Sequence, residues 1–239
     1  MRRLTTTLCL TFFVLMGSTT GCQRPGNGGY TELKLLAEKG DADAQYKFGK
    51  MHAAGLLGGA GFRKPGDGVR ISNKIAAKWY TLAAKQGNAR AQNDLGMFYQ
   101  YGEGIPQNKK TAVKWYRLSA DQGNAEAQTR LGLMYEMGAG IPQNDEEAVK
   151  WYTLAAEQGN AVAQTSLGFK YANGQGIPQN DKTALKWYRL AVKQGHASAQ
   201  IEVEILQKKT VEIAEKKCAE LGFTKGTEKY GDCVMKLLN

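Results

Sequence analysis

Between residues 30 and 205, apolar side chains recur three and four residues apart in short runs, and glycine closes each run. Ala112, Trp115, Tyr116 and Ser119 stand at i, i+3, i+4 and i+7, which is one face of a helix. Asn108 is a good N-cap for that helix. Gly123 is a good stop, because a C-terminal cap wants the left-handed backbone that glycine tolerates. Asn124 then caps a second helix at once. Ala127, Leu131, Met134 and Tyr135 mark its buried side, and Gly132 allows a close helix approach. Gly138-Ala139-Gly140-Ile141-Pro142-Gln143 breaks it. The predicted unit is helix, tight turn, helix, Gly/Pro loop.

The unit repeats. Trp79, Trp115, Trp151 and Trp187 are 36 residues apart, and so are Gly87, Gly123, Gly159 and Gly195. Pro106, Pro142 and Pro178 keep the same step, as do the Ala-Gln pairs beginning at Ala91, Ala127, Ala163 and Ala199. One helix pair cannot bury its apolar face alone, so a fixed period of this size implies stacking. The expected fold is all-α: an α/α superhelical solenoid of about four to five helix pairs of 36 residues over 30–205. Its first unit is degenerate, with Leu33, Leu35, Leu36 and Ala37 before Gly40, and Asp41 in place of the capping Asn. A glycine-rich stretch near 56–70 reads as a loop insertion. A phosphate cradle is the alternative, but no Lys-Ser/Thr ending follows and no strand precedes. The last unit has Val203-Glu204 where Leu-Gly is expected, so its helix should run on to Leu221 as a cap. Gly222, Gly226 and Gly231 then punctuate a hairpin, making 206–239 a C-terminal module.

The flanks and the composition narrow the chemistry. Arg2 and Arg3 precede Leu8–Met16, where only Thr11 is polar, and small residues follow, so 1–21 reads as a secretory signal peptide. The stretch is short of the ~20 apolar residues a membrane span needs. Thr19-Thr20-Gly21-Cys22 resembles the lipobox of bacterial lipoproteins, which implies a lipid on Cys22. Thr19 stands where those proteins have Leu, so cleavage without lipid and a retained anchor are the alternatives. Gln23 after the cysteine implies the outer membrane, and 22–29 reads as a flexible tether. The expected location is the bacterial periplasm, lipid-anchored. Of the 4 cysteines, Cys9 leaves with the signal and Cys22 takes the lipid. Cys218 and Cys233 remain, most simply as one disulfide in an oxidising compartment. A metal or redox pair is the alternative, without the Cys-x-x-Cys spacing of thioredoxin-like sites. The bridge would staple the terminal hairpin, contributing about 2–4 kcal/mol. The formal charge is +10, with the excess concentrated in the repeats. Export and the lack of a basic run argue against nucleic acid.

Ala148-Val149-Lys150-Trp151-Tyr152, Ala155 through Ala161, Ala163-Gln164, Leu167-Gly168, Tyr171 and Gly174 through Gln179 together resemble the Sel1-like repeat family, short relatives of the tetratricopeptide repeats. The resemblance implies an α/α scaffold for a protein partner, with no cofactor. Residues Cys218 to Cys233 are similar to a terminal module of other bacterial envelope proteins, for which no activity is implied. Lipoproteins of this kind include immunity proteins that neutralise phospholipase effectors of type VI secretion, which gives a narrower expectation. Cysteine-rich secreted relatives that bind or hydrolyse β-lactams give an enzymatic alternative. Those carry a disulfide within each repeat, and the repeats here contain no cysteine.

Comparing the repeats with each other points to a site. The tryptophans are steady, as stacking positions should be. Lys78, Lys114, Lys150 and Lys186 form a basic column, either a track for an anionic ligand or a solvated helix edge. The helix after the tight turn varies: Arg90, Asp94, Phe98 and Tyr101 correspond to Glu126, Arg130, Met134 and Met137, then to Val162, Ser166, Lys170 and Asn173. Such a stripe commonly lines the concave surface of a solenoid, and Met with aromatics suits a protein-binding groove. The alternative is packing between repeats, and Met134 sits at the boundary of the two. No catalytic, metal or cofactor-binding residue is expected. His52 falls in a packing column and His196 in a capping column. Asp145, Glu146 and Glu147 sit in a helix first turn, where the helix dipole favours acids.

Overall fold

The computed structural model describes residues 28–53 and 72–238. The leader, Cys22, the tether up to residue 27 and the insertion near 56–70 lie outside the described residues. Within them the helices are α1 (Gly28–Glu38), α2 (Ala42–His52), α3 (Asn73–Lys85), α4 (Ala89–Tyr101), α5 (Lys109–Asp121), α6 (Ala125–Met137), α7 (Asp145–Glu157), α8 (Ala161–Asn173), α9 (Asp181–Lys193), α10 (Ala197–Glu220) and α11 (Glu228–Leu238). The caps fall where the repeat places them. Asn108 Oδ1 accepts from the Thr111 N–H at 2.9 Å, and Asn124 Oδ1 from the Ala127 N–H at 3.0 Å. Each helix packs on its neighbours in the chain, and α8 also touches α10. The array is therefore two layers, odd-numbered helices against even-numbered ones.

Small residues bring the layers together. Helices α3, α5, α7 and α9 each turn an alanine-rich face inward with one tyrosine, as with Ala112, Tyr116 and Ala120 in α5. The tyrosine ring lies against a glycine of the preceding helix: Tyr116 on Gly96, Tyr152 on Gly132, Tyr188 on Gly168. A Cβ on any of these glycines would sit 2.7 Å from the ring. This is the close approach expected at Gly132.

A polar ladder runs beside that seam. Gln92 Nε2 donates to the Ala84 carbonyl at 3.1 Å, and Gln122 Nε2 donates to Gln92 Oε1 at 2.7 Å. Gln45 with Gln86, Gln128 with Gln158, and Gln164 with Gln194 repeat the arrangement. The steady Ala-Gln pairs are thus a buried hydrogen-bonded column. A buried amide satisfied on both sides fixes register as well as contributing stability.

The array stops at α10, where Glu204 takes the glycine's place. Gln200 turns to Glu204 Oε1 of its own helix at 2.8 Å. The helix runs on for 24 residues. Phe223 and the residues after it reverse the chain into α11, and Cys218–Cys233 closes the hairpin with an S–S length of 2.03 Å. The expected solenoid and the stapled terminal hairpin are both present.

Candidate partner-binding face

The predicted stripe lies on α4, α6 and α8, but it is not one surface. Arg90, Glu126 and Val162 are exposed near the N-termini of these helices, and Tyr101, Met137 and Asn173 near their C-termini. Tyr101 and Met137 are 49% and 64% exposed. Arg130 and Ser166 are half-buried. Asp94, Phe98, Met134 and Lys170 are buried, which corrects the expectation that they face a partner. Phe98 packs edge-on against Tyr80 with ring centroids 5.3 Å apart. Met134 belongs to the core shared by α5, α6 and α7.

The groove reading is displaced by one residue, about 100° around each helix. The column one place earlier is Met97, Leu133, Phe169 and Ile205. Met97 is buried, but Leu133, Phe169 and Ile205 are 38%, 41% and 56% exposed. Tyr101 and Met137 follow Met97 and Leu133 by four residues and so share their face. The column is large and apolar in every repeat, which in the sequence looks the same as a stacking position. The signal was still present, since Phe169 and Ile205 stand at the 36-residue step.

Two buried charges lie behind this face. Asp94 Oδ1 accepts from Asn93 Nδ2 at 3.0 Å. Burial is the main cause that pushes its carboxyl up to about 6; Glu126 adds to the rise, and Asn93, Lys50 and Tyr46 oppose it. Lys170 stands in the column of Phe98 and Met134. Its Nζ meets Glu136 at 2.6 Å and Asp145 at 2.8 Å. Tyr152 donates to Glu136 at 2.7 Å and ties that carboxylate to the seam. Burial opposes the Lys170 charge, but the hydrogen bonds it donates to Asp145 and Glu136 hold its ammonium above the usual lysine range. Its charge is spent inside the protein.

Nothing described assembles a reactive set. His52 is buried edge-on against Phe48 at 4.9 Å. His196 takes the N-cap position of α10 without a side-chain capping bond, and its Nδ1 meets Thr165 Oγ1 at 2.9 Å and Ser198 Oγ at 3.1 Å. No carboxylate orients that ring among the described contacts, so the Ser198–His196 pair lacks the third group a nucleophile's base requires. Among the described residues no cluster of His, Cys, Asp or Glu could hold a metal ion.

Fold and surface together define an all-α repeat scaffold, in which two helix layers stack and each shows apolar side chains at successive repeats. The chain belongs to the Sel1 repeat family, whose model matches residues 42–88, 89–124, 125–160 and 161–196. Among solved structures it is similar to a protective antigen of uropathogenic Escherichia coli strains that displays an SLR fold. The identity is 36%, the TM-score 0.63, and the match covers 71% of this chain and 34% of that one. The chain thus spans about a third of that antigen's length. A Sel1 repeat protein from Oxalobacter formigenes is 28% identical with a TM-score of 0.62, over 87% of this chain and 78% of that one. An immunity protein from Pseudomonas aeruginosa is 21% identical with a TM-score of 0.34, over 82% and 77% of the two chains, too remote to carry a function across. Comparison with curated proteins finds no match.

Proposed function

We propose that the chain is a non-enzymatic scaffold that binds another protein through the exposed apolar positions of its even-numbered helices. The observation that carries this reading is the recurrence of exposed Leu133, Phe169 and Ile205 at one repeat position, with Tyr101 and Met137 beside them. A line of exposed apolar groups on a rigid array suits a protein interface. In a solenoid such a line gives one extended contact from many small ones. The leader sequence supports a place in the bacterial periplasm, with Cys22 lipidated at the outer membrane. Incorporation of labelled palmitate that disappears in Cys22→Ala tests the anchor.

Capture from envelope extract tests the binding face. A partner held by the wild-type chain should be lost at least ~10-fold by Leu133→Glu with Met137→Glu, since charges replace apolar contacts at the centre of the face. Equal capture by both chains sinks the reading. A narrower version makes the partner a secreted antibacterial phospholipase and the chain its immunity protein; its support is the lipobox together with the repeats. A phospholipase gene beside this one, and inhibition of its product by the purified chain, are the expected results.

A further inference from the structure

The opposite face of the array has a different chemistry. The odd-numbered helices bury their alanines and tyrosines and turn Lys78, Lys114, Lys150 and Lys186 outward. Lys150 pairs with Glu147 at 2.5 Å, whereas Lys78, Lys114 and Lys186 form no ion pair with a described residue. Four residues after the lysines stand Leu82, Leu118 and Leu154, which are 45%, 48% and 45% exposed. On α9 the cationic stripe is continuous. Lys182, Lys186, Arg189 and Lys193 follow at i, i+4, i+7 and i+11 with no acid among them, along a shallow hollow of about 540 Å³.

We propose that this face docks on an anionic phospholipid bilayer. Charge alone would suit any polyanion, and a merely solvated face gains nothing from a leucine exposed at the same position in three repeats. A bilayer surface uses both features at once. Ammonium groups on flexible stems sit among the headgroup phosphates, while aliphatic side chains enter the boundary with the acyl chains. Lys78 with Leu82 and Lys114 with Leu118 repeat one placement, while α7 adds Leu154 beside a lysine paired to Glu147 and α9 adds its cationic stripe, so the contact is multivalent without any deep pocket. The even-numbered helices then face away from the lipid, which leaves Leu133 and Phe169 open. The proposal does not rest on the partner-binding reading: loss of partner capture with vesicle binding intact removes only that reading, and the converse removes only this one.

The test is co-sedimentation of the full chain with vesicles of phosphatidylcholine alone and of phosphatidylcholine mixed with phosphatidylglycerol. Any contribution of residues 1–22 is common to wild type and variants, so the differences between them read the face. Wild type should prefer the anionic vesicles, and salt should weaken that preference. Each cation near an anionic leaflet is worth roughly 5-fold, so Lys78→Glu with Lys114→Glu and Lys186→Glu should lose on the order of 100-fold or more. Leu82→Ser with Leu118→Ser and Leu154→Ser should lose roughly 10-fold and keep the salt dependence. Unchanged melting by circular dichroism shows that the exposed substitutions leave the fold intact. Equal binding of wild type to both vesicle types overturns the proposal, as does a lysine variant that binds like wild type. A leucine variant that binds anionic vesicles undiminished also overturns it, because the face is then a general polyanion surface.

Discussion

The interior of the array and its C-terminal end hold helices together in different ways. Inside, Tyr152 rests on Gly132 while Gln128 bridges the Ala120 carbonyl and Gln158. These contacts need no covalent link, because every repeat supplies them to the next. At the end, Glu204 replaces the glycine and Gln200 bonds within its own helix. The last helix, α11, buries only Tyr230, whose hydroxyl donates to the Glu215 carbonyl at 3.2 Å, and a disulfide ties it down. Stackability therefore resides in a few positions of each repeat. Where they are lost the helix simply continues, and the chain needs a covalent staple to turn back.

Breaking the interior has the largest expected effect. Gly132→Leu puts a branched side chain where even a Cβ lies 2.7 Å from the Tyr152 ring, so that ring must leave its seat. Overpacking of this kind should cost about 3 kcal/mol and lower the denaturant midpoint of the array as a whole. Glu204→Leu, in the corresponding position of the exposed terminal helix, should stay within about 0.5 kcal/mol. Equal losses at the two positions would erase the distinction between interior and end.

Opening the staple should cost no more than the Gly132 substitution, and its effect should be local. Cys218→Ser with Cys233→Ser removes a link of sequence separation 15, for which loop closure gives about 3 kcal/mol. That loss falls on α11 and the end of α10. Amide exchange should rise there, while the main thermal transition of α2 to α9 stays in place. A global drop in melting temperature would show that the terminal module buttresses the repeats.

The repeat made most of this architecture readable in advance. Asn108, Gly123 and Gly132 each have a local physical role, so helix ends and the glycine seam could be assigned without a partner residue in view. The terminal bridge could be inferred from the sequence once the reading of the leader set Cys9 and Cys22 aside and left Cys218 with Cys233. The binding face was less legible. Phe98 and Leu133 differ in register by one residue, and which of two adjacent columns is covered depends on how the next pair of helices lies across it. Lys170 misled for the same reason: a lysine in a varying column suggests a solvent-facing contact, yet Glu136 and Asp145 from other segments enclose it. The glutamine ladder left a clear trace in the Ala-Gln pairs, but its meaning depended on a second glutamine 30 residues away, as Gln122 is from Gln92.

The smallest effect concerns a buried acid inside the array. Asp94 is 6% exposed, whereas Glu202, at the same repeat position of α10, is half-buried. Its carboxyl is raised from an ordinary 3.8 to about 6, chiefly by burial. A raised acid favours the folded state in its protonated form. That contribution is fully present below the ordinary value and is lost as pH climbs through about 6, leaving an ionised, poorly solvated carboxylate at neutral pH. Asp94→Asn removes the charge and keeps the shape. The variant should be more stable than wild type by about 1–2 kcal/mol above pH 7, less than the full shift implies because the new amide is itself buried and must be hydrogen-bonded. Near pH 4 the two chains should unfold at nearly the same denaturant concentration. Denaturant titrations across that range decide the matter. A variant destabilised at pH 8 would mean that the ionised carboxylate stabilises the interior through its neighbours. The inner repeats would then depend on a charge as the outer hairpin depends on its disulfide.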